Sequence, residues 1–155
     1  EGGFMVVRES THRFSLLSQH RGKIGEKLPL FFTAMGRAYL SACSDSEREG
    51  LLTLLGQRTD EVGAMARDVK AVERLITETR TRGYAMNDGD WDREHAFAAI
   101  AVPVVSRGQL HGGINLVFPK AAINVTEVEK RYLPRLKRLA QRIGKDIQPW
   151  MNRGN

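Results

Sequence analysis

Residues 96–119 read AFAAIAVPVVSRGQLHGGINLVFP, and this stretch decides the architecture. Ala96 to Val105 is almost wholly apolar and far too short to cross a bilayer, so it reads as a buried strand. Ser106-Arg107-Gly108 supplies a turn, after which Leu110, Gly112, Ile114, Leu116 and Phe118 alternate with His111, Gly113, Asn115 and Val117. That period of two is the signature of a paired strand, and the short turn makes the pair antiparallel. Asn115 then falls on the face opposite Ile114 and Leu116. A polar amide there is either a ligand donor or a residue on the wetter face of the sheet.

Working outward from the hairpin, Tyr84 to Met86 reads as a brief strand, followed by a polar loop from Asn87 to Glu94. Upstream, Asp68 to Arg82 has helical spacing, with Val69, Val72, Leu75, Ile76 and Thr79 on one face and Gly83 as its stop. Ser44 and Ser46 are candidate N-caps of another helix, with Glu47 and Glu49 at its positive end. Pro29 precedes a helical stretch from Leu30 to Ala42, where Phe31, Met35, Ala38 and Tyr39 recur at helical spacing. Phe4 to Glu9 and Arg13 to Gln19 read as strands. Downstream, Thr126 and Glu129 form a capping box ahead of a helix that lines up Val128, Tyr132, Leu136, Leu139, Ile143 and Ile147. Pro134 inside that pattern predicts a kink or a late helix start. The order ββααα-β-ββ-α predicts an α/β domain: a mostly antiparallel, curved sheet of about six strands with helices packed on it.

Composition bounds the rest. A chain of 155 residues makes one domain that buries roughly 70% of its unfolded surface, without disulfide or metal staples. Cys43, the only cysteine, excludes an intrachain disulfide and a thiolate metal cage; at the end of an apolar helix it reads as a small buried hydrophobe. No 18-residue apolar span or signal peptide is present, which predicts a cytoplasmic protein with no membrane contact. The opening Glu1-Gly2-Gly3 runs straight into a strand and reads as the middle of a longer protein. Residues 1–119 carry 15 basic and 15 acidic groups, whereas residues 120–155 carry 9 against 3, so the net +6 belongs to the C-terminal segment. Arg131, Arg135, Arg138, Arg142 and Lys145 share one helix face, either a solvated stripe or a contact for phosphates or an acidic surface.

No catalytic constellation emerges. Nucleophile elbow, Walker loop, zinc-protease and dinucleotide-binding motifs are all missing, and the four histidines lack helical ligand spacing. His95 beside Glu94 and Asp92 reads as part of a solvated acidic loop, so neither a metal nor a cofactor is expected. A protein that is not an enzyme fits best.

The string LPLFFTAMGRAYL at residues 28–40 resembles the signature of the IclR family of bacterial regulators: Leu-Pro-Leu, then Thr-Ala-x-Gly-(Lys/Arg)-Ala. Arg80, Arg82, Gly83, Tyr84 and Ala85 resemble that family's Ile-Arg-x-x-Gly-Tyr-Ala. Ile100 to Val104 resemble its Ile-Ala-x-Pro-Val strand, and Ile114 to Pro119 its closing strand. The motifs run in register along essentially the whole chain. IAVPV, NLVF and YLPRLKRLAQRI look closest to the activators of aromatic-acid (hydroxyphenylpropionate-type) catabolism.

The resemblance implies a GAF/profilin-like effector-binding domain spanning 1–155, preceded in the full protein by a winged helix-turn-helix that would alone contact DNA. It also implies a small organic acid effector and a homodimer or tetramer. Carried over residue by residue, the effector site falls on Leu17 and His20, on Ala34 and Met35, on Asn87, on Ala99, and on Asn115 and Val117. The departures are informative. Asn87 stands where an acid is common, Ala99 where cysteine is frequent, Ala96-Phe97 for Gly-Val, and Asn115 and Val117 for a Ser-x-Ser. A site with fewer hydroxyl and thiol groups suits an effector larger and less polar than a two- or three-carbon oxoacid. Amide N–H groups from Thr33 to Gly36, at a helix start, would hold its carboxylate. Plain core packing is the competing role for Leu17, Met35, Phe97 and Val117. A dimerisation module filled by its own side chains is the competing function.

Overall fold

The computed structural model describes residues 3–11, 24–89 and 95–147. Strands β1 (Phe4–Val6) and β2 (Lys27–Pro29) pair antiparallel. Four helices follow: α1 (Ala34–Ala42), α2 (Asp45–Gly56), α3 (Glu61–Arg67) and α4 (Val69–Arg82). Then come β3 (Ala85–Asn87), β4 (Phe97–Ser106), β5 (Gln109–Pro119), α5 (Val125–Arg131) and α6 (Leu133–Asp146). The second sheet has the order β3-β4-β5, all antiparallel, so the mixed α/β class is as the sequence predicts. The described residues hold five strands in two sheets, fewer than the six expected. The strand expected at Arg13–Gln19 lies outside the described residues. The first strand is shorter than Phe4–Glu9, although Val7 extends the pairing through bonds with Glu26 O and from Gly25 N.

The alternation in β4 and β5 divides the sheet into two faces. Ala98, Ile100, Val102, Val104 and Phe118 pack against α5 and α6, meeting Val128, Leu136, Ala140 and Ile143. On the opposite face Ala99 and Ala101 meet Ala34, Met35 and Ala38 of α1, together with Leu28 of β2. A third cluster of Leu30, Phe31, Leu40, Leu55, Val62 and Ile76 ties the segment before α1 to α2, α3 and α4.

Helix starts follow side-chain capping. Thr33, Ser44, Asp60, Asp68 and Asn124 each accept a hydrogen bond from the N–H three residues on. Two expectations change here. The first helix begins at Ala34 instead of Leu30, because Thr33 provides the cap and Leu30–Phe32 form a turn that buries Leu30 and Phe31. The Thr126–Glu129 capping box does not form: Asn124 caps α5 two residues earlier, and Glu129 instead accepts a hydrogen bond from the Tyr84 hydroxyl. Pro134 takes the position open to it. The expected single helix divides into α5 and α6, with proline in the first turn of α6, where no intrahelical N–H is needed. Gly83 ends α4 in the left-handed conformation at φ 75°, and Val69, expected on the inner face of α4, is 63% exposed as its first residue. Helix α3, to which the sequence reading assigned nothing, is capped by Asp60 and packs Gly63 directly on the Arg58 carbonyl.

Candidate functional site

The register of the second sheet lines side chains up in cross-strand rows beneath α1. One row is Ala85, Ala101 and Asn115; the next is Asn87, Ala99 and Val117; the last pairs Phe97 with Pro119. Rows two residues apart are separated by about 7 Å along the strands. Alanines in the middle of this floor let α1 pack down on it, burying Ala85 and Ala101 against Ala34 and Ala38. Toward the Phe97 end a cleft of about 460 Å³, counted out to its open mouth, remains. Only about 50 Å³ of that space can take the centre of a water-sized sphere, so most of the volume belongs to the open mouth.

The cleft is floored by Phe97, Ala99, Asn115 and Val117, walled by Leu28 and by Thr33, Ala34 and Met35 of the α1 N-terminus, and closed at the β3 end by Asn87 and Gly89. Of the eight residues singled out from the sequence, six therefore meet here: Ala34, Met35, Asn87, Ala99, Asn115 and Val117. Leu17 and His20 lie outside the described residues. Leu28, Gly89 and Ala98 join the lining without having been assigned to the site, and Thr33 and Phe97, named beside it from the sequence, line it as well. Leu28 was within reach of sequence reading, since it opens the quoted motif at residues 28–40.

The wall is held by a compact hydrogen-bond set. Arg37 donates from Nε to Phe31 O at 2.7 Å and from a terminal nitrogen to Met86 O at 2.7 Å, joining the turn before α1 to β3. Asn87 Nδ2 donates to Phe32 O at 2.6 Å. Its amide N–H₂ therefore serves as a strut for the cleft wall. Thr33 Oγ1 donates to Pro29 O at 2.9 Å while accepting from Gly36 N at 3.2 Å. Asn115 behaves differently: it is exposed on the α1 face, and its side-chain amide has no hydrogen-bond partner among the described residues. None of the described lining residues carries a formal charge.

Electrostatics separate this cleft from a second hollow of about 450 Å³ lined by Ala38, Ser41, Thr79, Arg80, Gly83 and Pro103, among others. The second hollow sits where α1 and α4 end, so unsatisfied carbonyls and the negative ends of two helix dipoles gather there. Arg80 Nε already donates to Ser41 O at 2.8 Å. The cleft instead faces the positive N-terminus of α1, which suits an anion.

Other candidates resolve simply. Cys43 is buried, donates weakly to Leu40 O, and burial pushes its thiol pKa up, away from nucleophile behaviour. His95 Nδ1 lies 2.9 Å from Gly89 O, while Asp92 and Glu94 lie outside the described residues. No group of three potential metal ligands occurs among the described residues. Arg131 belongs to α5 and pairs with Glu127 at 2.5 Å. The expected five-residue basic face is therefore interrupted by the helix break, leaving Arg135, Arg138, Arg142 and Lys145 exposed on α6.

Known proteins share this architecture. A crystal structure of an IclR family transcriptional regulator from Brucella abortus is 26% identical, with a TM-score of 0.65, covering 84% of this chain and 48% of that one. The C-terminal domain of the E. coli transcriptional regulator KdgR is 25% identical, with a TM-score of 0.63, over 79% of this chain and 73% of that one. At 19% identity the inducer-binding domain of PobR from Acinetobacter, solved as a double mutant with 3-hydroxybenzoic acid, shares the fold with a TM-score of 0.70 over 93% of this chain and 83% of its own. The Pca regulon regulatory protein of Pseudomonas putida is 31% identical over 115 residues, which are 72% of this chain but only 38% of the relative. The chain thus spans about two fifths of that relative's length. Residues 7–145, nearly everything from the end of β1 to the last turn of α6, match the family described as bacterial transcriptional regulator IclR C-terminal. With the motif string sitting at the start of α1 and the fold repeated in these regulators, the chain belongs to the IclR family of bacterial transcriptional regulators, as its C-terminal domain.

Proposed function

We propose that this domain senses a small aromatic acid, bound in the cleft between α1 and the β3-β4-β5 sheet. The observation that carries the reading is the convergence of Ala34, Met35, Asn87, Ala99, Asn115 and Val117 on one open cleft. The aromatic body lies over the alanine and valine rows. The carboxylate meets the N–H groups that begin α1, and Asn115 bonds a polar ring substituent. Asn115, whose side-chain amide has no hydrogen-bond partner among the described residues, lines the cleft beside Met35 and Phe97 and supports sensing over a module packed shut. Among relatives, PobR is described with a hydroxybenzoate, which agrees with the chemistry of the cleft.

In the full protein a winged helix-turn-helix precedes this domain, and the working unit is a cytoplasmic homodimer or tetramer. Ligand binding favours one arrangement of that assembly and so biases the DNA-binding heads, a population shift that needs different affinity for the two arrangements. DNA is contacted through the heads only, and no chemistry is performed on the ligand.

A thermal-shift series tests the reading. Benzoate, meta-hydroxybenzoate and hydrocinnamate are compared with glyoxylate and pyruvate at matched concentration and pH. An acid at 100 times its Kd adds about 2.7 kcal/mol, a rise of roughly 5–11 °C for a chain of this size. Larger shifts with the small oxoacids reverse the choice of ligand class, and no shift with any acid removes the sensing role.

A further inference from the structure

We infer that Lys120 is the residue through which the cleft selects an acid over its uncharged analogues, with Asp88 as a built-in competitor for the same ammonium group. The inference rests on the cleft being the effector site, and it adds to the partial charge of the α1 N-terminus a full positive charge that the lining itself does not contain.

Lys120 directly follows β5, and its backbone N–H donates to Ala96 O at 2.9 Å, which fixes its Cα at the end of the sheet where Phe97 pairs with Pro119. From there the side chain reaches across to the β3 end of the cleft. Its Nζ donates to Asp88 O at 3.3 Å and lies 3.5 Å from Asp88 Oδ1. It also stands 3.0 Å from the point that a Cβ on Gly89 would occupy. Gly89 lines the cleft mouth at φ 81°, so the absence of a side chain there lets an ammonium group rest against the rim. The described lining residues are uncharged, and these contacts put a full positive charge beside one of them.

The pair with Asp88 is built to exchange. Both side chains are about half exposed, at 40% and 53%, and the contact is long. Ion pairs of that kind hold with little net free energy, so the four-carbon stem of lysine can swing without disturbing the fold. An effector carboxylate at the mouth, between the first N–H groups of α1 and the rim at Gly89, offers the ammonium a partner shielded from water on the cleft side. There the attraction exceeds that to solvated Asp88. An amide of the same shape offers none, and the ammonium then stays on Asp88.

The experiment uses calorimetric titration of the whole chain with benzoate, meta-hydroxybenzoate and hydrocinnamate, each beside its primary amide. Wild type, Lys120→Met, Lys120→Arg and Asp88→Asn are compared, with urea unfolding as a check on folding. Wild type prefers each bound acid over its amide. Lys120→Met weakens acid binding by about five- to tenfold and changes amide binding less than about twofold, whereas Lys120→Arg keeps the preference. Asp88→Asn tightens acid binding by releasing the ammonium, and added salt erodes the preference in wild type but not in Lys120→Met. Acid and amide weakening together in Lys120→Met, or an unchanged ratio, overturns the assignment of Lys120 while leaving the cleft as the effector site. Failure of wild type to bind any of the six compounds overturns both.

Discussion

Gly36, in the first turn of α1, makes the sharpest test of how the cleft wall is built. A Cβ placed on it falls 2.2 Å from the carbonyl oxygen of Leu30, 2.4 Å from its Cα and 2.6 Å from its carbonyl carbon. Ordinary contact begins at 3.4 Å, and every atom in the way is backbone. Gly36→Ala therefore has to push the turn before α1 outward. That turn is anchored by buried Leu30 and Phe31, by Arg37 to Phe31 O and Met86 O, and by Asn87 to Phe32 O. Overpacking costs about 1–3 kcal/mol and a lost hydrogen bond about 1 more, against about 1 kcal/mol gained from helix propensity. The net loss is about 1–3 kcal/mol, or roughly 2–12 °C in Tm. The control is the same chemical change at Gly50, which is exposed inside α2 with nothing within 4 Å of its added Cβ. Gly50→Ala is expected to stabilise by about 0.5–1 kcal/mol. Urea unfolding and thermal melts of both variants give the signs directly. Gly36→Ala melting at or above wild type, or the two variants moving in the same direction, refutes the reasoning.

Three further outcomes are expected. Asn115→Ala weakens binding of the preferred acid by about 1–2 kcal/mol in calorimetry and leaves unliganded stability nearly unchanged, because its amide bonds to no described residue; an unaltered Kd removes Asn115 from the site. Ser106→Ala raises stability by up to about 1 kcal/mol in urea unfolding, since the hydroxyl is buried without a partner among the described residues; a loss would reveal a bond that the fold supplies. Burial and the bond to Glu129 push the Tyr84 hydroxyl up to about 12. With the folded value above the unfolded one, this contribution is complete below about pH 10 and is lost as pH rises through the folded value. Tyr84→Phe should therefore lack that part of the alkaline decline in unfolding midpoint, and identical declines in the two proteins would contradict it.

What could be read from the sequence depended on how local its cause was. The two faces of β5, the Ser44 cap and the Gly83 stop follow from neighbours a few residues apart, and alternation set Asn115 opposite Ile114 and Leu116. Rivalry between local signals misled the reading of α5: Thr126 with Glu129 looked like a box, but Asn124 stood closer to the turn and Tyr84, distant in sequence, claimed Glu129. Helix α3 was hidden by its shortness and by Gly63, which dilutes its pattern; Gly63 is required by the Arg58 carbonyl, a contact that sequence does not display. The rows of the cleft floor depend on strand register, set by a bulge at Val104/Val105 as much as by the turn. The role of Asn87 as a strut, and the reach of Lys120 to Asp88, are long-range facts that no spacing rule could reveal. In the sequence Lys120 reads only as part of the basic C-terminal segment.

The two-faced sheet separates what this domain must keep from what it is free to change. Ile100, Val102 and Phe118 hold α5 and α6, while Ala99, Asn115 and Val117, their neighbours along the same strands, border the cleft. A change of chemistry on the cleft side leaves the opposite face of each strand intact. Under the proposed function, lineages can therefore drift from one ligand to another without passing through unfolded intermediates. For the same reason, a library randomised at Ala99, Asn115 and Val117 is a practical starting point for building biosensors of new acids on this scaffold.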